Sequence, residues 1–216
     1  MDAVQLLVAF APLGLYLIGL GMVHCRRRPV VLTGSADVSL LAAAVGGLVI
    51  VGPMEFLFPA ALPFPGQFVW LLLLLTYSML VTLWNLLARP RLIVLNMSTD
   101  QLRPILAEVA PRLDPRAQWA GDGLALETLG VQLHLEDYPP MRTVSLVATG
   151  SRQNETGWVP LRTELKVALR GIQVDDHRRG YALIVVGLVM LIVPLAEAAS
   201  LGGPMVAQKL RDLLRL

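Results

Sequence analysis

The sequence predicts a membrane protein of four transmembrane helices with a small two-layer α+β domain, an antiparallel sheet with two helices on one face, inserted before the fourth span. Three observations predict it. Hydrophobic residues make up 55% of the chain and charged residues only 16%, against about 25% charged in an average soluble domain. The apolar residues gather in four runs of roughly twenty, the helical length that crosses a hydrocarbon core of ~30 Å. Between the third and fourth runs the chain turns polar and its pattern shortens to alternating segments. Residues 1–89 then carry three spans, at 3–23, 38–58 and 67–88. Residues 90–180 form the domain, and residues 181–216 hold the fourth span and an amphipathic tail.

The first run, Ala3 to Val23, has no charge. A secretory signal would need a positive segment before it. Asp2 stands there instead, and the positive charge follows the run in "GMVHCRRRPVVL", residues 21–32. That order fits an uncleaved helix whose N-terminus has crossed the membrane. In the second run Ala42 and Gly46, and Ala43 and Gly47, form two small-xxx-small pairs. Such pairs let helix backbones approach in lipid, so this face is a candidate for self-association into a homo-oligomer. A chain rich in small residues gives the same spacing without a partner. Gly52-Pro53 should weaken the helix near its far end. "PAALPFPG", residues 59–66, reads as a tight connection to an antiparallel third helix, which ends at "ARPR", residues 88–91.

The basic residues fix an orientation. Lys and Arg near helix ends favour the cytoplasmic side. In a four-helix alternation Arg26, Arg27, Arg28, Arg89, Arg91, Arg178 and Arg179 fall on one side, and only Lys209, Arg211 and Arg215 on the other. Both termini are therefore expected outside and residues 90–180 in the cytoplasm. Topology alone accounts for the arginine triplet, and contact with anionic lipid head groups is a further use open to it. The only lysines are Lys166 and Lys209, and this arginine-heavy composition suggests a GC-rich bacterial genome and hence a bacterial inner membrane.

Within the polar segment "RLIVLN", 91–96, reads as a strand. "STDQ", 98–101, fits a capping box with Ser98 as N-cap and Gln101 as its reciprocal partner. The helix that follows aligns Leu102, Ile105, Leu106, Val109 and Leu113, with Pro104 expected to kink it or delay its start. Asp122-Gly123 marks a hairpin turn inside 117–127. Residues 131–137 and 142–149 alternate apolar and polar side chains about a turn at "DYPPM", which implies a sheet packed on one face. A second helix, 157–172, carries a stripe of Trp158, Leu161, Leu165, Ala168, Leu169 and Ile172. "DDHRRG", 175–180, is a solvated hinge. The tail, 202–216, reads as a helix on the membrane surface or packed on its own protein.

Few residues carry chemistry. The net charge of +2 gives no field for nucleic acid. Cys25 is the sole cysteine, which excludes an internal disulfide, and it could be acylated only in a eukaryotic setting. No phosphate-binding loop, zinc-protease or nucleophile-elbow motif is present, and no catalytic residue, metal or cofactor is assigned. His134 and Glu136 share a strand face near Asp137 and Tyr138, but two ligands do not make a metal site. Asn96 and Asn154 match the glycosylation pattern, which a cytoplasmic domain would not use. Ionisable residues in a membrane helix are functional candidates, so Glu55 and Glu197, at similar depth near the outer helix ends, are candidates for a cation or proton site. Each also lies close enough to an end to reach water. Asn85 is expected to snorkel or to bond a neighbouring helix. The leading expectation is a non-enzymatic membrane anchor whose cytoplasmic domain binds a protein partner or regulates one. The alternative is a transport component or intramembrane enzyme built on Glu55 and Glu197.

Overall fold

The computed structural model describes residues 2–57, 66–150, 153–174 and 178–214, with side chains described for these except 53–57, 66–70, 178 and 212–214. Apart from Gly66, the connection expected at 59–66 lies outside the described residues, as do Asp175–His177 of the hinge. The chain runs α1 (Ala3–Cys25), β1 (Val30–Thr33), α2 (Gly34–Leu57), α3 (Gly66–Leu87), β2 (Arg91–Leu95), α4 (Thr99–Leu113), β3 (Gln118–Ala120), β4 (Gly123–Leu126), β5 (Val131–Tyr138), β6 (Thr143–Ala148), α5 (Trp158–Leu169), α6 (Arg178–Ser200) and α7 (Gly203–Leu214). It divides into two compact units. One comprises Met1–Gly21, Val38–Leu87 and Tyr181–Leu216, the other Met22–Asp37 and Ala88–Gly180.

In the apolar unit α1, α2, α3 and α6 are long and mostly apolar, while α7 is short and amphipathic. Among the described residues three stretches are long and apolar enough to cross a membrane: Ala3–Cys25, Gly34–Gly52 and Arg179–Ser200. α3 has 22 residues and contains the apolar stretch Leu71–Leu87. α2 begins at Gly34, ahead of the apolar run, and its helical span includes Gly52-Pro53 and ends at Leu57. A proline removes one backbone bond, which an apolar helix tolerates when the rest of its ladder is intact.

Close backbone approach holds this unit together. A Cβ on Gly47 would lie 2.2 Å from the Val8 carbonyl oxygen, so α1 and α2 meet there without room for a methyl group. A Cβ on Gly187 would lie 2.6 Å from the Gly14 oxygen, and one on Gly14 would lie 2.9 Å from the Gly187 oxygen. α1 and α6 thus cross at a glycine pair. The small residues expected to face a second copy divide differently. Gly47 is closed by α1, Ala42 accepts a hydrogen bond from the Tyr77 hydroxyl at 2.6 Å, Gly46 faces the Tyr77 ring, and Ala43 is exposed. In the tail, α7 packs on α3, and Lys209 pairs with Asp2 at 3.2 Å.

The α+β unit contains a six-stranded, wholly antiparallel sheet in the order β1-β2-β6-β5-β4-β3. α4 and α5 cover one face, and the core between the layers joins Leu102, Leu106, Leu161 and Leu165 to Leu124, Leu133, Val144 and Leu146. α4 starts at Thr99 and runs through Pro104 to Leu113, so the proline neither delays its start nor ends it. The Ser98 N–H donates to Gln101 Oε1 at 3.2 Å, one arm of the expected capping box.

Three features depart from the pattern in the sequence. β1 has no counterpart in that pattern: it comes from the segment between α1 and α2 and pairs with β2, Val31 opposite Val94. The β3–β4 turn sits at Gly121-Asp122, one residue earlier than expected, with Gly123 already in β4. Gly121 takes the positive φ of +62°, as the first central residue of a II′ turn does. The sheet is open on its second face only in part. On β5, Gln132, His134 and Glu136 are exposed, but on β2 Ile93 and Leu95 are buried on the side away from the core.

Candidate functional site

A polar cluster in the α+β unit surrounds the backbone of the arginine triplet. α1 ends at Cys25, and its last carbonyls have no intrahelical partner. Asn96, the residue after β2, supplies one. Its Nδ2 donates to the carbonyl oxygens of Val23 at 2.6 Å, Arg26 at 3.0 Å and Arg28 at 3.3 Å. Two N–H bonds serve three acceptors, so the longest contact is the weakest. With Nδ2 committed to carbonyls, Asn96 Oδ1 must accept. It lies 2.8 Å from Nδ1 of the buried His24, which assigns the proton on that imidazole nitrogen. Asn96 holds a left-handed backbone, φ 65°, a conformation that asparagine tolerates better than most residues.

The remaining carbonyl of the turn is also bound. The Val174 N–H, beyond α5, donates to the Arg27 oxygen at 3.1 Å. All three arginine carbonyls are therefore tied to the fold, while the residues Arg26, Arg27 and Arg28 are exposed. None of the three forms an ion pair among the described residues. The other arginines expected on the same side behave differently. Arg91 pairs with Asp37 at 3.3 Å and lies across Gly34, where a Cβ would come within 2.3 Å of Arg91 Cγ. Arg179 donates to the Pro140 carbonyl. Arg89 is exposed, and the Arg178 side chain is outside the described set.

The membrane candidates lie on three helices, Glu55 on α2, Asn85 on α3 and Glu197 on α6. The Glu55 side chain is outside the described set. Glu197 is exposed on α6, and its backbone oxygen accepts from the Ser200 hydroxyl at 2.7 Å. Asn85 donates to Ser39 Oγ on α2 at 3.3 Å and to the Val81 carbonyl at 3.1 Å. His134 and Glu136 are exposed on β5, and no group of three metal-ligating side chains occurs among the described residues. Asn96 is buried and its side chain is fully engaged, so it is closed to glycosylation. Asn154 caps the turn before α5 by accepting from the Thr156 N–H and hydroxyl.

A second polar anchor, without a motif in the sequence, lies at the end of α4. Asp114, after α4, is wholly buried. Its carboxylate accepts from the Arg116 N–H at 2.9 Å, the Thr128 N–H at 2.6 Å and the Thr128 hydroxyl at 2.7 Å. Burial alone would raise its pKa. The hydrogen bonds from Thr128, Arg116 and Leu129 outweigh that and hold the carboxyl below its usual value. This anchor joins the end of α4 to the β4–β5 turn and is structural. The only hint in the sequence was an Asp-Pro pair at a helix end. Neither a protein-family model, nor any curated protein, nor any solved structure matches the chain.

Proposed function

We propose that the protein is a four-span membrane protein of a bacterial inner membrane that presents its α+β unit to the cytoplasm as a non-enzymatic interaction or regulatory module. The observation that carries this reading is the pairing of β1 with β2. β1 precedes α2 and β2 follows α3, yet both belong to one sheet. A chain that leaves that sheet through α2 has to cross back before β2. α3 is the only helix between them among the described residues, so the reading makes it a span. The Asp2–Lys209 ion pair supports placing both termini on one side, as an even number of crossings requires. The arginine distribution supports calling the other side cytoplasmic.

The module role is supported by a core that the α+β unit builds from its own two segments, and by the open sheet face at Gln132, His134 and Glu136. Two experiments test the reading. In a Cys25→Ser background, Gln132→Cys should resist a membrane-impermeant maleimide in intact cells and react once the membrane is opened. Labelling in intact cells would reverse the orientation. A photo-crosslinking residue at Glu136 should capture a discrete protein in native membranes. If no such product forms from positions 132, 134 or 136, the interaction role fails.

A further inference from the structure

Positive charge at the end of a membrane helix orients a chain by its amount. It does not require the charged residues to be ordered. Here the order is built in. Asn96 binds the carbonyls of Arg26 and Arg28, Val174 binds that of Arg27, and His24 locks Asn96 from behind. With every carbonyl of the triplet tied to the fold, three neighbouring guanidinium groups leave one short, fixed turn. The fold neutralises Arg91 with Asp37 and directs Arg179 to a carbonyl, but it offers the triplet no carboxylate among the described residues. One turn back along α1, Met22 is half exposed. The result is a fixed cationic turn next to an apolar side chain, at the end of a helix long enough to span a bilayer.

We propose that the Arg26–Arg28 turn is a binding site for the phosphate of an anionic phospholipid, with Asn96 as its positioning residue. Guanidinium groups bind phosphate oxygens through paired N–H donors, and the exposed Met22 matches the upper acyl chain of a lipid rather than a free phosphate in solution. The inference rests on α1 lying in a bilayer, though not on which side the turn faces.

The test uses the full-length protein in mixed micelles, with native mass spectrometry counting retained phosphatidylglycerol against phosphatidylcholine of the same chains. The wild-type protein should prefer phosphatidylglycerol. The Arg26→Gln/Arg27→Gln/Arg28→Gln variant should lose that preference by a factor on the order of a hundred, about fivefold for each cationic contact. Asn96→Ala keeps all three arginines and should still lose about five- to tenfold. If Asn96→Ala does not fold, the triple Arg→Lys variant decides instead, because it keeps the charge and removes the paired donors. It should bind phosphatidylglycerol several-fold more weakly. A triple-Gln variant with wild-type preference, or an Asn96→Ala or triple-Lys variant indistinguishable from wild type, would overturn the site. Equal competition by glycerol 3-phosphate at matched concentration would also overturn it as a lipid site. Alkaline extraction of native membranes separates the two readings: release of the protein would sink the membrane reading itself, whatever the lipid counts show.

Discussion

Leu71, Leu72, Leu74 and Leu75 on α3 are each at least half exposed, whereas Leu102, Leu106, Leu133 and Leu146 in the α+β unit are closed off. The same residue type behaves oppositely in two parts of one chain, and, with α3 as the span proposed above, the solvent explains why. Water drives leucines together in the α+β unit, at roughly 25 cal/mol per Å² of apolar surface removed. Lipid gives no such drive, since acyl chains are as apolar as leucine. The apolar unit instead gains contact where side chains are missing, at Gly47 against the Val8 oxygen and at Gly14 against Gly187. Large residues thus hold one unit together, and small ones hold the other.

The comparison breaks most easily at its leucines. Leu106→Ala should destabilise the α+β unit by about 2–5 kcal/mol, from lost burial and the cavity left behind. For a unit of this size each kcal/mol corresponds to about 4–8 °C in Tm. Leu72→Ala, on the exposed side of α3, should change stability by no more than about 0.5 kcal/mol. Hydrogen exchange on the full-length protein in detergent reads both, through peptides from α4 and β5 for one and from α3 for the other. Equal losses at the two positions would mean that α3 is buried against a partner and that lipid is not its solvent.

Smaller, and confined to the other unit, is the effect of adding one methyl group. Gly47→Ala places a Cβ 2.2 Å from a backbone oxygen, which no side-chain rotation can relieve, while Gly19 has nothing within 4 Å of such a Cβ. Overpacking of this kind costs about 1–3 kcal/mol. Exchange should therefore rise in α1 and α2 for Gly47→Ala and stay level for Gly19→Ala. If Gly47→Ala leaves exchange unchanged, α1 and α2 do not meet at this glycine and the small-residue account of the apolar unit is wrong.

What could be read from the sequence follows the same division. The period-2 alternation of Val131, Leu133 and Leu135 and the stripe of Trp158, Leu161 and Leu165 are local signals, and β5 and α5 stand where those signals put them. β1 has only four residues behind an arginine triplet. It is a strand because Val31 finds Val94, some sixty positions away, and no local pattern encodes that. Two glycines flank Asp122, and the sequence favoured the wrong one. The register that turns Leu124 and Trp119 toward the core leaves Gly121 to take the positive φ. In the candidate site the charges of Arg26 to Arg28 were visible as charges. Their ordering was not, because it depends on Asn96 and Val174, both remote in sequence. The small pairs in α2 were visible as well, but Gly14 and Gly187 are single glycines whose meaning appears only when two helices cross.

The smallest expected effect is one of pH, and it belongs to the α+β unit. The Asp114 carboxyl is held below its usual value in the folded chain. The folded state therefore favours the ionised form more than the unfolded state does. Its contribution is complete above the unfolded value, about pH 4, and is lost as the pH falls through the lower folded value. The loss is modest because burial opposes the hydrogen bonds that lower the pKa. Asp114→Asn puts an amide where only donors converge, so that variant should be less stable at pH 7. The gap to wild type should narrow as the pH drops below about 4, where the carboxyl of the unfolded chain begins to take up a proton that the folded one still resists. Exchange in peptides from the end of α4 and the β4–β5 turn, followed between pH 7 and pH 3 with the intrinsic rate corrected, reads that gap directly. A gap that stays constant across this range would mean that the Thr128 and Arg116 bonds hold Asp114 equally well in both protonation states, and that the anchor is steric rather than ionic.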